Sequence, residues 1–313
     1  MAQTMADQMT ADQMTAEKTY DRATQDVGNL LALEHVNVCV PDQELAALFY
    51  VSGLGFTRDP YIDFGTDNMW VNLGSQQFHL PKRQAQVLRG EIGVVVPDLE
   101  PVKRRLARLE KRQGDRLAGT AFACKENDDG SLSVTCPWGN RFRVHGASEA
   151  FGGLGLGLPY VAFDVAPGGA PGIARFYAEV IGAPASVVDA DGSRCAEVRV
   201  GRAQRLWFRE SEAPLADYDG HHIAVYLANF SGPYRTLLER GLITLETNES
   251  EYRFQDIVDL DSGTVLFKIE HEVRSMFHPM FGRGLVNRNT GQNIFAYEAG
   301  HDAYVGLTMG GRG

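Results

Sequence analysis

Four segments of this chain share one pattern. LEHVNVCVPD at 33–42 returns as GEIGVVVPD at 90–98, and weaker copies follow as LPYVAFDVAP at 158–167 and GHHIAVYLAN at 220–229. Such a repeat constrains the fold more than any single motif, because each copy is one supersecondary unit that must bury its apolar side against the others. Aligning Val40, Val96, Val165 and Leu227 makes His35, Glu91, Tyr160 and His222 equivalent.

Each copy opens with an alternating strand and continues into a helical pattern. In the first, Leu45, Leu48 and Phe49 recur at helical spacing before Gly53 and Gly55; in the third, Ile173, Phe176, Tyr177 and Val180 do so before Gly182. The second and fourth carry VKRRLARLEKRQG and PYRTLLERG in the same place. Shorter strand-like runs follow, the last reading QQFHLPK, GNRFRVHG, AQRLWFRE and GTVLFKIE, and their apolar flanks make His79, Arg143, Trp207 and Phe267 equivalent. The order is strand, helix, then about three strands, four times, with units near 33–82, 90–146, 158–210 and 220–272. Helices covering one face of a mostly antiparallel sheet make this an α+β protein. Units one and three share Phe-Tyr before the helix-ending glycine, so the deeper repeat is a pair of units. This predicts two similar domains in chain order, 30–150 and 155–272, with a polar extension at 1–29 and a tail at 273–313.

With 313 residues, 44% of them apolar, the chain can fill two cores. A net charge of −10 argues against nucleic acid or an anionic membrane surface as the main partner and favours a small molecule. No apolar run approaches the roughly 20 residues of a membrane span. The duplication ADQMTADQMTAEK in the extension has neither a signal-peptide core nor an Arg-rich transit character. Cys39, Cys124, Cys136 and Cys195 are scattered without C-x-x-C spacing, as expected of reduced thiols in a cytosolic protein.

The pattern L-x-H-V-x-V-x-V-P-D, the FY…LG helix end and the W-G-N or D-S-G turn into a final strand resemble the vicinal oxygen chelate superfamily. That superfamily includes glyoxalase I, fosfomycin and bleomycin resistance proteins and type I extradiol dioxygenases. The resemblance covers nearly all of 33–272 and implies paired βαβββ units around shared cups, with side chains from the middles of opening and closing strands pointing inward. Carried over, it puts His35, His79, Glu91 and Arg143 in the first cup and Tyr160, Trp207, His222 and Phe267 in the second.

Two imidazoles and a carboxylate can hold a divalent metal on one face, so His35, His79 and Glu91 are the expected ligands. Fe(II) and Mn(II) are favoured, and Zn(II) and Ni(II) are admissible. Arg143 stands where the family usually has another ligand. It can clamp an anionic substrate, or it has abolished the site, by itself or by pairing with Glu91. Tyr160, Trp207, His222 and Phe267 form a second, aromatic pocket or simply fill a degenerate barrel. The tail stretch FHPMFGRGLVNRN, with His278, Arg283 and Arg288, is expected to dock across the outside of a half, closure of a cup being the alternative. The implied functions are a metal-dependent enzyme on a small oxygenated substrate, dioxygenase-like by its four-unit length, an isomerase, lyase or transferase of the glyoxalase or fosfomycin-resistance type, or a metal-free binding protein. A scaffold that associates through its sheet edges is the third alternative, and a homo-oligomer is compatible with each.

Overall fold

The computed structural model describes residues 20–285 except 63, 64, 66 and 191. The extension up to residue 19, and Arg288 in the tail, lie outside the described residues. Four βαβββ units follow one another as expected. The first has β1 (Leu30–Asn37), a helix, β2 (Thr57–Arg58), β3 (Asn68–Leu73) and β4 (Gln76–Pro81). The second has β5 (Gly90–Val96), a helix, β6 (Ala123–Glu126), β7 (Leu132–Thr135) and β8 (Arg141–Gly146). The third has β9 (Tyr160–Val165), a helix, β10 (Ala185–Ala190), β11 (Ser193–Val200) and β12 (Gln204–Glu210). The fourth has β13 (His222–Leu227), a helix, β14 (Ile243–Asn248), β15 (Glu251–Val258) and β16 (Val265–Ser275).

The shared Val-Pro-Asp has a local cause. Its aspartate ends the strand and caps the helix behind it: the Asp42 carboxylate accepts from the Leu45 N–H before α1 (Gln43–Ala46), and Asp98 accepts from the Glu100 N–H before α2 (Leu99–Leu117). Units three and four lack that aspartate: Asn229, at the same position in unit four, accepts from the Gly232 N–H at the start of α4 (Ser231–Glu239), and the first N–H of α3 (Ala170–Phe176) donates to Glu210. Val102, Leu106 and Leu109 of α2 are buried at helical spacing, and they bring its apolar stripe into the core that the strands share. Among the described residues no helix is long and apolar enough to cross a membrane.

Within each unit the opening and closing strands lie side by side and parallel. The units then join into two eight-stranded sheets, and here the structure corrects the expected pairing. One sheet runs β14-β15-β16-β13-β1-β4-β3-β2 and the other β10-β11-β12-β9-β5-β8-β7-β6. Unit one therefore joins unit four, and unit two joins unit three, so the sheets do not follow the halves 30–150 and 155–272. The seams are the antiparallel pairs β1/β13 and β5/β9. Local repetition reveals the unit but carries no information about which copy faces which. At the inner seam the backbones come so close that a β-carbon on Gly90 (φ 156°) would stand 1.8 Å from the Ala162 carbonyl oxygen.

Candidate metal centre

The sheet of units one and four gathers three histidines on one face. His35 comes from β1, His79 from β4 and His222 from β13; Asn37 faces both His79 and His222 in the strand register. One ring nitrogen from each lies within 4.8 Å of the others. The Nε2 atoms of all three are buried without a hydrogen-bond partner. Buried polar atoms are ordinarily paired, so three orphaned imidazole nitrogens converging on one spot need an explanation.

The surroundings fix the rings. β1 carries a bulge between Leu33 and His35, where two residues on β1 advance against one on β13. It lets the adjacent Glu34 and His35 side chains meet, with Glu34 Oε2 3.2 Å from His35 Nδ1. A proton on Nδ1 donated to that carboxylate leaves the Nε2 lone pair free. Trp70 stacks on the His79 ring at 4.0 Å and 17° and meets the His35 ring edge-on at 4.9 Å. His222 lies between two carboxylates, Glu270 and Glu272, each 3.5 Å away.

Burial lowers the pKa of His79 well below its usual value, helped by the charges of His35 and His222; burial also lowers that of His222, against the opposing pull of Glu272. Both rings are therefore neutral at pH 7, as ligation requires. Burial would raise the pKa of Glu272, but Arg274, His222 and Arg253 outweigh it and hold the carboxyl well below the usual range. Glu34 behaves alike, burial being opposed by Arg274 and His35. Arg274 contacts Glu34, Glu272 and, at 3.2 Å, Glu251.

The two sheets can be compared position by position through their registers. His35 faces Ala224 as Glu91 faces Ala162, and Asn37 faces His79 as Gly93 faces Arg143. Ala162 in turn faces Trp207 as Ala224 faces Glu272. Glu91, Arg143, Tyr160 and Trp207 of the inner sheet thus occupy the places of His35, His79, His222 and Glu272 of the outer one.

Four expectations change accordingly. Glu91 and Arg143 are in the inner sheet, away from the histidines, because unit two pairs with unit three. His222 belongs with His35 and His79 and not with the aromatic set. Phe267 does not face either site: it is buried in the core against Phe163 and Phe208, and the position assigned to it belongs to Glu272. The bridge from Arg143 to Glu91 is not formed; the partner of Arg143 is Asp129, at 2.9 Å. All four inner residues line a cavity of about 730 Å³, and the Tyr160 ring lies over Gly93.

The described part of the tail also departs from expectation, since it lies at the histidine end of the outer sheet. Met280 packs with Tyr61, Ile62 and Trp70, Arg283 pairs with the buried Asp59 at 2.8 Å, and His278 reaches Glu251 at 3.5 Å.

No protein-family model matches the sequence, and no curated protein matches it. Solved structures do match. Glyoxalase I from Zea mays aligns at a TM-score of 0.55 and 11% identity over 78% of this chain and 92% of that one. A candidate dioxygenase from Bacillus subtilis aligns at 0.52 and 13% over 82% and 87%. The chain thus shares the fold of these two structures.

Proposed function

We propose that this protein is a metal-dependent vicinal oxygen chelate enzyme whose divalent ion is held by His35, His79, His222 and Glu272. The observation that carries the reading is the gathering of three buried imidazoles, one ring nitrogen of each within 4.8 Å of the others, whose Nε2 atoms make no hydrogen bond. The donor set fits: three imidazoles and one carboxylate suit Fe(II), Mn(II), Zn(II) or Ni(II). Metal–nitrogen bonds of about 2.1 Å keep ligand atoms within about 4.2 Å of each other, so shifts of roughly half an ångström complete the site.

When bound, the ion supplies Lewis acidity toward two neighbouring oxygens of a small substrate. The chain's own groups do the rest. Glu34 fixes the tautomer and the angle of His35, Trp70 fixes the plane of His79, and Arg253 and Arg274 hold Glu272 ionised. The strap at 276–285 packs on the same side, with Met280 against Trp70 and Arg283 on Asp59. Dioxygenase, isomerase, lyase and transferase chemistry all use such a site, and the reading extends to the class and not to one reaction.

Elemental analysis after mild purification tests it. About one equivalent of metal per chain is expected, with His35→Ala, His79→Ala and His222→Ala each losing most of it and Glu91→Gln retaining it. Less than about a tenth of an equivalent after reconstitution with each of the four metals overturns the reading.

A further inference from the structure

We propose that the cavity of the inner sheet is a metal-free binding site for a small planar ligand bearing both an anionic group and a hydrogen-bond donor. Its four central positions hold Glu91, Arg143, Tyr160 and Trp207. Arginine has no lone pair to give, so these positions cannot repeat the histidine centre. The space is of ligand size: about 730 Å³ falls within the range of small-molecule pockets.

The lining has aromatic faces and unspent polar groups. The Tyr160 ring lies directly on Gly93, where a β-carbon would come within 2.6 Å of it, and the Tyr160 hydroxyl is anchored 3.0 Å from His145 Nε2. Glycine at 93 therefore lets the Tyr160 ring lie down against the sheet. Trp207 is only half-buried, and its indole N–H makes no hydrogen bond among the described residues. Two of the five N–H donors of Arg143 are engaged, by Asp129 and Ser133, and two of those of Arg205, by Glu197 and the Gln204 carbonyl. Glu91, half-buried in the same cavity, has no hydrogen bond or ion pair among the described residues, although its charge is felt by Arg143 and Tyr160.

These groups select by chemistry. A simple aromatic acid satisfies the arginines but sets its charge near Glu91, which stays unpaired. A simple aromatic amine satisfies Glu91 and leaves the guanidinium donors empty. A ring with an acid on one side and an N–H or O–H on the other meets both, stacked between Tyr160 and Trp207.

The test uses the full-length protein with 4-aminobenzoate as probe, and benzoate and aniline as comparators. The chain has three tryptophans, Trp70, Trp138 and Trp207, hence three indole N–H resonances, which Trp207→Phe assigns. Addition of 4-aminobenzoate to about 10 mM, enough to reveal a fragment-strength site, is expected to shift the Trp207 resonance saturably and leave that of Trp70 unmoved. Benzoate and aniline are expected to bind about tenfold more weakly or worse, and Arg143→Gln and Glu91→Gln each to weaken 4-aminobenzoate about tenfold, with the Trp70 resonance reporting an intact fold. No shift of Trp207 at that concentration, equal binding of all three probes, or binding unchanged in both variants would overturn the proposal. Because no metal enters the measurement, its failure leaves the reading of the histidine centre untouched.

Discussion

Arg274 is nearly fully buried and holds three carboxylates at once: Glu34, Glu251 and Glu272. Its position next to the histidines makes it structural and organising together, since Glu34 sets His35 and Glu272 stands beside His222. Removing one partner of a buried ionic network is costly because the others are left as uncompensated charges. Arg274→Met is therefore expected to destabilise the protein by about 3–5 kcal/mol, read from the urea midpoint at unchanged slope. A change under about 1 kcal/mol would mean that the carboxylates find other partners or protons.

Among the elements, the strap after β16 is tied down by the buried ion pair of Arg283 with Asp59, besides the contact of His278 with Glu251. Asp59 accepts from Arg283, from Gln77 at 2.7 Å and from the backbone N–H groups of Tyr61 and Ile62, so its side of the pair is fixed while Arg283 arrives from the tail. Arg283→Ala is expected to raise amide hydrogen exchange across 275–285 by tenfold or more and to leave the central strands β1 and β13 protected; no change there would show that Met280 and its neighbours hold the strap alone. The strands themselves were largely legible. Each closing strand alternates buried apolar residues with polar ones facing the site: Phe78 and Leu80 around His79, Phe142 and Val144 around Arg143, Leu206 and Phe208 around Trp207. That alternation makes three of the four closing-strand positions legible. The fourth is missed because β16 runs on for eleven residues, and aligning its apolar start selects Phe267, which belongs to the buried row with Ile269 and His271. The polar row Lys268, Glu270, Glu272 and Arg274 carried the signal, but parity leaves Glu270 and Glu272 equal, and the register of Ala224 with Glu272 selects the latter.

At the scale of the molecule, the nested pairing decides what a fragment can do. Repeats in the sequence identify four similar units, but four similar edges allow several pairings, and only long-range contacts between β1 and β13 and between β5 and β9 select one. A chain divided in the loop near Gly153 separates His35 and His79 from His222 and Glu272. Neither half is expected to retain metal, whereas the two mixed are expected to recover it together with a single species of full size on gel filtration. Metal held by the amino-terminal half alone would show that two histidines suffice.

The nesting also sets an order in time. His222 lies 185 positions after Asn37, its partner across the outer seam. At synthesis rates of about 5–20 residues per second, β1 has left the ribosome roughly 10–40 s before β13 exists to cover its edge. The inner units, adjacent in the chain, are both complete before that moment. The newborn chain therefore presents an apolar, unpaired β1 edge throughout that interval, and the three histidines of the site come together only once β13 has emerged.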